Sequence, residues 1–122
     1  MRSPETSSTQ PAVHTQLGPG LLEASYFACL LYELRKRGMS VQTEVSVPVV
    51  YDGCKLLDVG YRIDMLVEVE LIVEIKAIEA IAPVHRAQLL GYLRHSGKRL
   101  GLLLNFNVTS LRDGIVRQVN RL

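Results

Sequence analysis

The sequence predicts a mixed β-sheet flanked by helices, a fold of the α/β (α+β) class. Three observations lead there. Two segments, about residues 21–37 and 83–96, carry helical signals and are separated by runs of β-branched, alternating residues. Leu100 to Phe106 is apolar almost without interruption until Asn105, as a covered central strand requires. The order is helix, about three strands, helix, strand, then an end that periodicity leaves open between strand and short helix.

Taken in order, residues 1 to about 12 are rich in Ser, Thr and Pro and predict a flexible arm. Gly18-Pro19-Gly20 breaks the chain before the first predicted helix. There Leu22, Tyr26, Cys29, Leu30 and Leu34 recur at helical spacing, Arg35-Lys36-Arg37 suit the last turn, and Gly38 supplies the stop. Val41 to Tyr51 alternates, with Val45, Val47 and Val49 on one side, and Pro48 places at least part of this strand at an edge. Asp52-Gly53 reads as a hairpin turn. Tyr61 to Glu68 and Leu71 to Ala77 are strands joined by an acidic turn near residues 68–70. Pro83 suits the first turn of the second helix, and Ser96-Gly97 ends it. Residues 13–122 are expected to form a single domain, with no internal repeat.

Composition narrows the class. At 122 residues the chain can bury one modest core, and its 48% hydrophobic content is that of an ordinary globular protein. No apolar run approaches the roughly 20 residues of a membrane span. The first ten residues lack the apolar stretch of a secretory signal, so a cytoplasmic location is expected, with Cys29 and Cys54 as reduced thiols. His14, His85 and His95 are scattered and do not have zinc-ligand spacing. A net charge of +2 merely permits a nucleic-acid partner, although basic residues cluster at 35–37, at 94 with 98–99, and at 112, 117 and 121.

The chemistry gathers around Val73-Glu74-Ile75-Lys76. Side chains alternate along a strand, so Glu74 and Lys76 share a face while Leu71, Val73, Ile75 and Ala77 form the other. In the preceding strand Asp64 is expected opposite the face shared by Ile63, Met65 and Val67. Asp64 lies four residues before Glu68 and Glu74 four after Glu70, so a hairpin through that turn makes the two acids neighbours. Two carboxylates suit a magnesium or manganese ion, and a lysine beside them suits phosphodiester chemistry. An internal Asp64–Lys76 or Glu74–Lys76 ion pair accounts for the same residues without catalysis. Glu23 with Tyr26, and Gln88 with Tyr92, share helix faces. Their plain readings are a dipole-favoured first-turn acid and an amphipathic helix edge.

Gly20-Leu21-Leu22-Glu23-Ala24-Ser25-Tyr26 resembles the signature of the GxxExxY proteins, a group within the PD-(D/E)xK nuclease superfamily. The likeness continues through Tyr61-Arg62-Ile63-Asp64, Val73-Glu74-Ile75-Lys76, Ala82-Pro83-Val84-His85, Ala87-Gln88-Leu89-Leu90, Leu104-Asn105-Phe106-Asn107-Val108 and Asp113-Gly114-Ile115. It implies a restriction-endonuclease-like αβββαβ core. It further implies catalytic roles for Glu23, Asp64, Glu74 and Lys76, with a metal held by Asp64, Glu74 and the Ile75 carbonyl. Gln88 and Tyr92, with Tyr26, would support the lysine or touch the substrate.

The expected function is a Mg2+- or Mn2+-dependent nuclease acting on DNA in preference to RNA. The alternative is a non-catalytic nucleic-acid-binding or structural protein on the same fold. So small a domain has little surface for recognition, which leaves room for a homodimer or a partner protein.

Overall fold

The computed structural model describes residues 4–121. Helices α1 (Pro4–Leu17) and α2 (Glu23–Lys36) precede strands β1 (Val41–Tyr51), β2 (Cys54–Val67) and β3 (Leu71–Lys76). Helix α3 (Pro83–Ser96) then leads to β4 (Leu100–Asn105), a 3-10 turn (Leu111–Gly114) and β5 (Ile115–Val119). The five strands lie in sequence order, with β3 and β4 parallel and every other pair antiparallel. Parallel pairing of β3 and β4 requires a crossover, and α3 provides it.

Each face of the sheet has its own apolar layer. On one, Tyr26, Leu30 and Leu34 of α2 and Val13 of α1 pack on Met65, Val67, Leu71, Val73, Ile75, Leu104 and Phe106. On the other, Leu89 and Leu93 of α3 pack on Val47, Ile63, Leu66, Ile72 and Leu103. Helix α2 forms because Tyr26, Leu30 and Leu34 fall on one stripe, and all three are fully buried. Leu22, counted with that stripe from spacing alone, is instead the N-cap and lies in solvent. Arg35 in the last turn donates from Nη2 to the Val41 carbonyl at 2.9 Å, so one basic cluster is partly spent on seating β1.

Three local features differ from the expectations. From Pro4 onward the expected flexible arm is helical, and residues 1–3 lie outside the described residues. Burial of Val13 and a 2.7 Å hydrogen bond between His14 Nε2 and the Val108 carbonyl hold the end of that helix, contacts that local propensity does not contain. Second, Ile63 does not share a face with Met65 and Val67 but packs under α3. The alternation breaks beside Asp64, where Glu44 of β1, itself at φ 50°, falls out of the pairing between Thr43–Met65 and Val45–Ile63. Third, the final segment is a strand, since Leu104 to Leu100 pair with Ile115 to Val119.

Two turns show how differently hairpins are specified. Asp52 and Gly53 both take positive φ between the paired Tyr51 and Cys54, as their types favour. Glu68 and Val69 also take positive φ, against the preference of a β-branched residue. Here tertiary bonds compensate: Glu68 N donates to Ser40 O at 2.8 Å, and Ser40 N donates to Glu68 Oε2 at 2.9 Å. Pro48 sits on the edge strand at a register shift, where its missing N–H costs no ladder bond.

Strand β5 is brought in by the turn before it. Gly114 is buried, and a Cβ there would lie 2.1 Å from the Asn105 carbonyl oxygen, which is backbone and cannot swing aside. Gly114→Ala is therefore expected to lower the unfolding free energy by roughly 1–3 kcal/mol, read as a lower urea midpoint. An unchanged midpoint would show that the close approach of 114 to 105 does not seat β5.

Candidate active site

The β2–β3 ladder runs from Val67–Leu71 to Met65–Val73 and stops. One step further, side chains replace backbone carbonyls as acceptors. Asp64 N donates to Glu74 Oε2 at 2.7 Å, and Ile75 N donates to Asp64 Oδ2 at 2.8 Å. Each acid thus satisfies an amide on the opposite strand through one oxygen. Strand β3 continues beside β4, with Lys76 in register with Asn105. The acids therefore occupy the place where β2 parts from β3, staying paired with β1 while β3 stays paired with β4.

Burial makes these acids unusual. Glu74 is only 6% exposed. Loss of solvent, followed by the neighbouring Asp64, pushes its carboxyl up to about 8, against the lowering by the Asp64 amide and by Lys76. Asp64, half-buried, is also raised, first by loss of solvent and with added repulsion from Glu23 and Glu44; the Ile75 amide and Lys76 oppose the rise. Lys76 lowers both acids electrostatically, yet among the described residues it closes no ion pair with either. The site holds more negative potential than its own lysine offsets.

The other expected site residues divide into two groups. Glu23 opens α2 and its Oε2 accepts from Ala77 N at 3.3 Å, which brings the first helix to the residue after Lys76. Tyr92 of α3 faces the acids: its phenol is raised by burial, then by Glu74 and Asp64, and so stays a neutral O–H donor well into alkaline conditions. Tyr26 plays an interior part. It is fully buried, stacks on Phe106 at 4.7 Å, donates from its hydroxyl to Gly18 O at 2.6 Å and accepts from Leu21 N at 3.1 Å. Gln88 is exposed one turn before Tyr92, and among the described residues no hydrogen bond joins it to Lys76 or the acids.

Four neighbours have no role in the sequence reading. Glu44 adds a fourth carboxylate to the field at Asp64. Tyr61, half-buried, packs on Tyr92 at 4.8 Å and on His95 at 5.6 Å. Asn105 and Asn107 tie the strand ends together. The one visible signal for any of them is the polar Asn105 closing an apolar strand; Glu44 and Tyr61 read as ordinary alternating residues.

Among the described residues no three His, Cys, Asp or Glu side chains converge to hold a metal unaided. A divalent ion still fits. Two hard carboxylates and a backbone carbonyl suffice when water and phosphate complete the shell. The carboxyls of Asp64 and Glu74 are raised first by loss of solvent, so their ionised forms are disfavoured until a cation compensates them.

The chain belongs to the PD-(D/E)XK nuclease superfamily, whose family model matches residues 4–118. Neither a curated protein nor a solved structure matches it. Its α2-β1-β2-β3-α3-β4 succession is the restriction-endonuclease-like arrangement, and nucleases of this superfamily generally use divalent metal ions on nucleic-acid substrates. No helix among the described residues is long and apolar enough to cross a membrane.

The raised Glu74 carboxyl has a signed consequence for stability. Between its unperturbed value of 4.5 and about 8, the folded chain holds a proton that the unfolded chain has released. Without metal, stability is thus greatest below pH 4.5 as far as this group is concerned, falls as pH rises toward 8, and levels above it. Glu74→Gln is expected to flatten that slope in urea unfolding measured from pH 5 to 9. A slope unaltered by the substitution would show that another group carries it.

Proposed function

We propose that this protein is a Mg2+- or Mn2+-dependent nuclease that hydrolyses phosphodiester bonds, in DNA rather than RNA, and that it is one of the GxxExxY group. The observation that carries the reading is the Asp64–Glu74 exchange of carboxylates and amides, with Lys76 beside it and Glu23 reaching the same strand end. A purely structural role for the acids predicts that the lysine closes a pair with one of them, and none is found among the described residues.

Asp64, Glu74 and the Ile75 carbonyl would hold the ion. When bound, a divalent ion polarises the phosphoryl oxygen and lowers the pKa of water at the site. Lys76 holds the attacking water or neutralises charge developing on the phosphoryl oxygens. Glu23 assists from the start of α2. Tyr92, kept as a neutral phenol, donates a hydrogen bond toward the acids or the substrate, and Gln88 on the exposed turn before it meets the backbone of the nucleic acid. The half-buried Lys76 ammonium also offers the phosphate a positive charge among neighbouring carboxylates. A homodimer or partner protein would enlarge the recognition surface, and a cytoplasmic setting keeps the free thiols of Cys29 and Cys54 reduced.

Cleavage of supercoiled, linear and single-stranded DNA and of RNA, with Mg2+, Mn2+ or EDTA, tests this directly. Metal-dependent cutting is expected, with Glu74→Ala and Lys76→Ala each slower by on the order of a hundredfold or more. Cutting that survives Glu74→Ala in rigorously purified protein would refute the assignment. Absence of cutting by folded, metal-loaded protein would leave a binding module.

Glu74 must give up its proton to act as a ligand, which generates a second expectation. Affinity for Mn2+ should rise with pH up to about 8 and then level. Calorimetric titration in buffers of different ionisation heat should reveal close to one proton released at neutral pH. Binding that is independent of pH over that range would remove Glu74 from the ligand set.

A further inference from the structure

We infer that Asn107, seated by Asn105, is a positioning residue that holds Glu23 against the end of β3. The inference rests on the nuclease reading for its catalytic meaning, while its structural content stands separately. Three chain segments meet beside the acids: the loop before α2, the residues after Lys76, and the exit of β4. Among the described residues, most of the hydrogen bonds between them run through two asparagine side chains.

Asn105 is 2% exposed, and each of its amide atoms is used. Its Oδ1 accepts from Ile78 N at 3.1 Å and from Asn107 N at 3.2 Å, and its Nδ2 donates to Ile78 O at 3.0 Å. Phe106 N also donates to Lys76 O at 2.9 Å, so the chain leaving Lys76 is bonded to β4's exit at two successive places. Asn107 extends the join outward. Its Oδ1 accepts from Gly20 N at 3.0 Å, and its Nδ2 donates to Ile78 O at 3.4 Å.

That outward bond reaches the loop that leads into α2. Leu22 at the N-cap offers no side-chain acceptor to the first turn. Tyr26 secures residues 18 and 21 and stacks on Phe106, which fixes the inner side of the loop beside β4's exit; Asn107 holds Gly20, on its outer side. Among the described residues, two hydrogen bonds connect residues 20–23 to the strand ends: Gly20 to Asn107, and Ala77 to Glu23. The second is 3.3 Å long and exposed, a geometry that water readily displaces. The Gly20–Asn107 bond is also exposed but shorter, at 3.0 Å, and by restraining the loop three residues earlier it helps Tyr26 keep Glu23 in place.

Amide exchange by NMR on the full chain tests the placement without calling on activity. Asn107→Ala should speed exchange at Gly20 and Ala77 by about tenfold or more, while the Asp64 and Ile75 amides, bonded to Glu74 and Asp64, keep their rates. Asn107→Asp retains an acceptor for Gly20 N and should protect Gly20 and Ala77 as the parent does; it also serves if the alanine variant fails to fold. A double-mutant cycle on cleavage then tests the link to Glu23. Asn107→Ala should cost about tenfold in kcat in the parent and less than about twofold in a Glu23→Gln background. An Ala77 rate that is unchanged, or that rises equally with those of Asp64 and Ile75, overturns the inference, as does the same fold-loss in both backgrounds. If the parent cleaves nothing, the nuclease reading falls, and the exchange rates alone decide whether Asn107 places Glu23.

Discussion

At the point where β2 parts from β3, two amides lose the carbonyl partners that a continuing ladder would supply. Asp64 and Glu74 accept those amides, each across the gap from its own strand. A buried amide without an acceptor is costly, and so is a buried carboxylate without a donor. The exchange meets both needs at once, and it leaves two acids side by side that, without a cation, share their site with a proton on Glu74 up to about pH 8. Lys76, Glu23, Glu44 and Tyr92 all lie within the electrostatic reach of that pair.

The surrounding architecture explains why the acids stay close despite their repulsion. Strand β3 is central, covered by α2 on one face and by α3 on the other, and Glu74 lies buried on the face it shares with Ile72. Val73 and Ile75 anchor one face of β3 and Ile72 the other. Loss of solvent then sets the protonation of the site, and a cation or a proton is the natural counterweight. Lys76 is near enough to moderate this charge but not to cancel it. A site so poised differs from a closed internal salt bridge, in which lysine and acid would consume each other.

Some parts of this arrangement are legible in the residues. Glu74 and Lys76 share a face because strand alternation has a period of two, and Asp64 reaches Glu74 because the turn lies midway between them. Pro48 indicates an edge, and Asp52-Gly53 a hairpin, through backbone preferences that each residue carries wherever it stands. Other parts are not legible. Ile63 leaves the face of Met65 because the alternation breaks at Asp64 opposite Glu44, a consequence of how β1 and β2 pair. The turn at Glu68-Val69 takes positive φ because Ser40, distant in sequence, bonds to Glu68. The helix over Pro4–Leu17 owes its end to Val13 and His14 meeting the far end of the chain.

The sequence by itself determined the class of fold, the strand that carries Glu74 and Lys76, and the proximity of Asp64, since each follows from local periodicity and spacing. Tertiary structure decided the rest. It sealed Tyr26 into the core as a brace for the loop before α2, left Gln88 in solvent, and drew Asn105 and Asn107 from the end of one strand to join three separate segments. The reason is physical: hydrogen bonds and burial between residues dozens of positions apart depend on where the packed elements come to rest, and no local pattern encodes that.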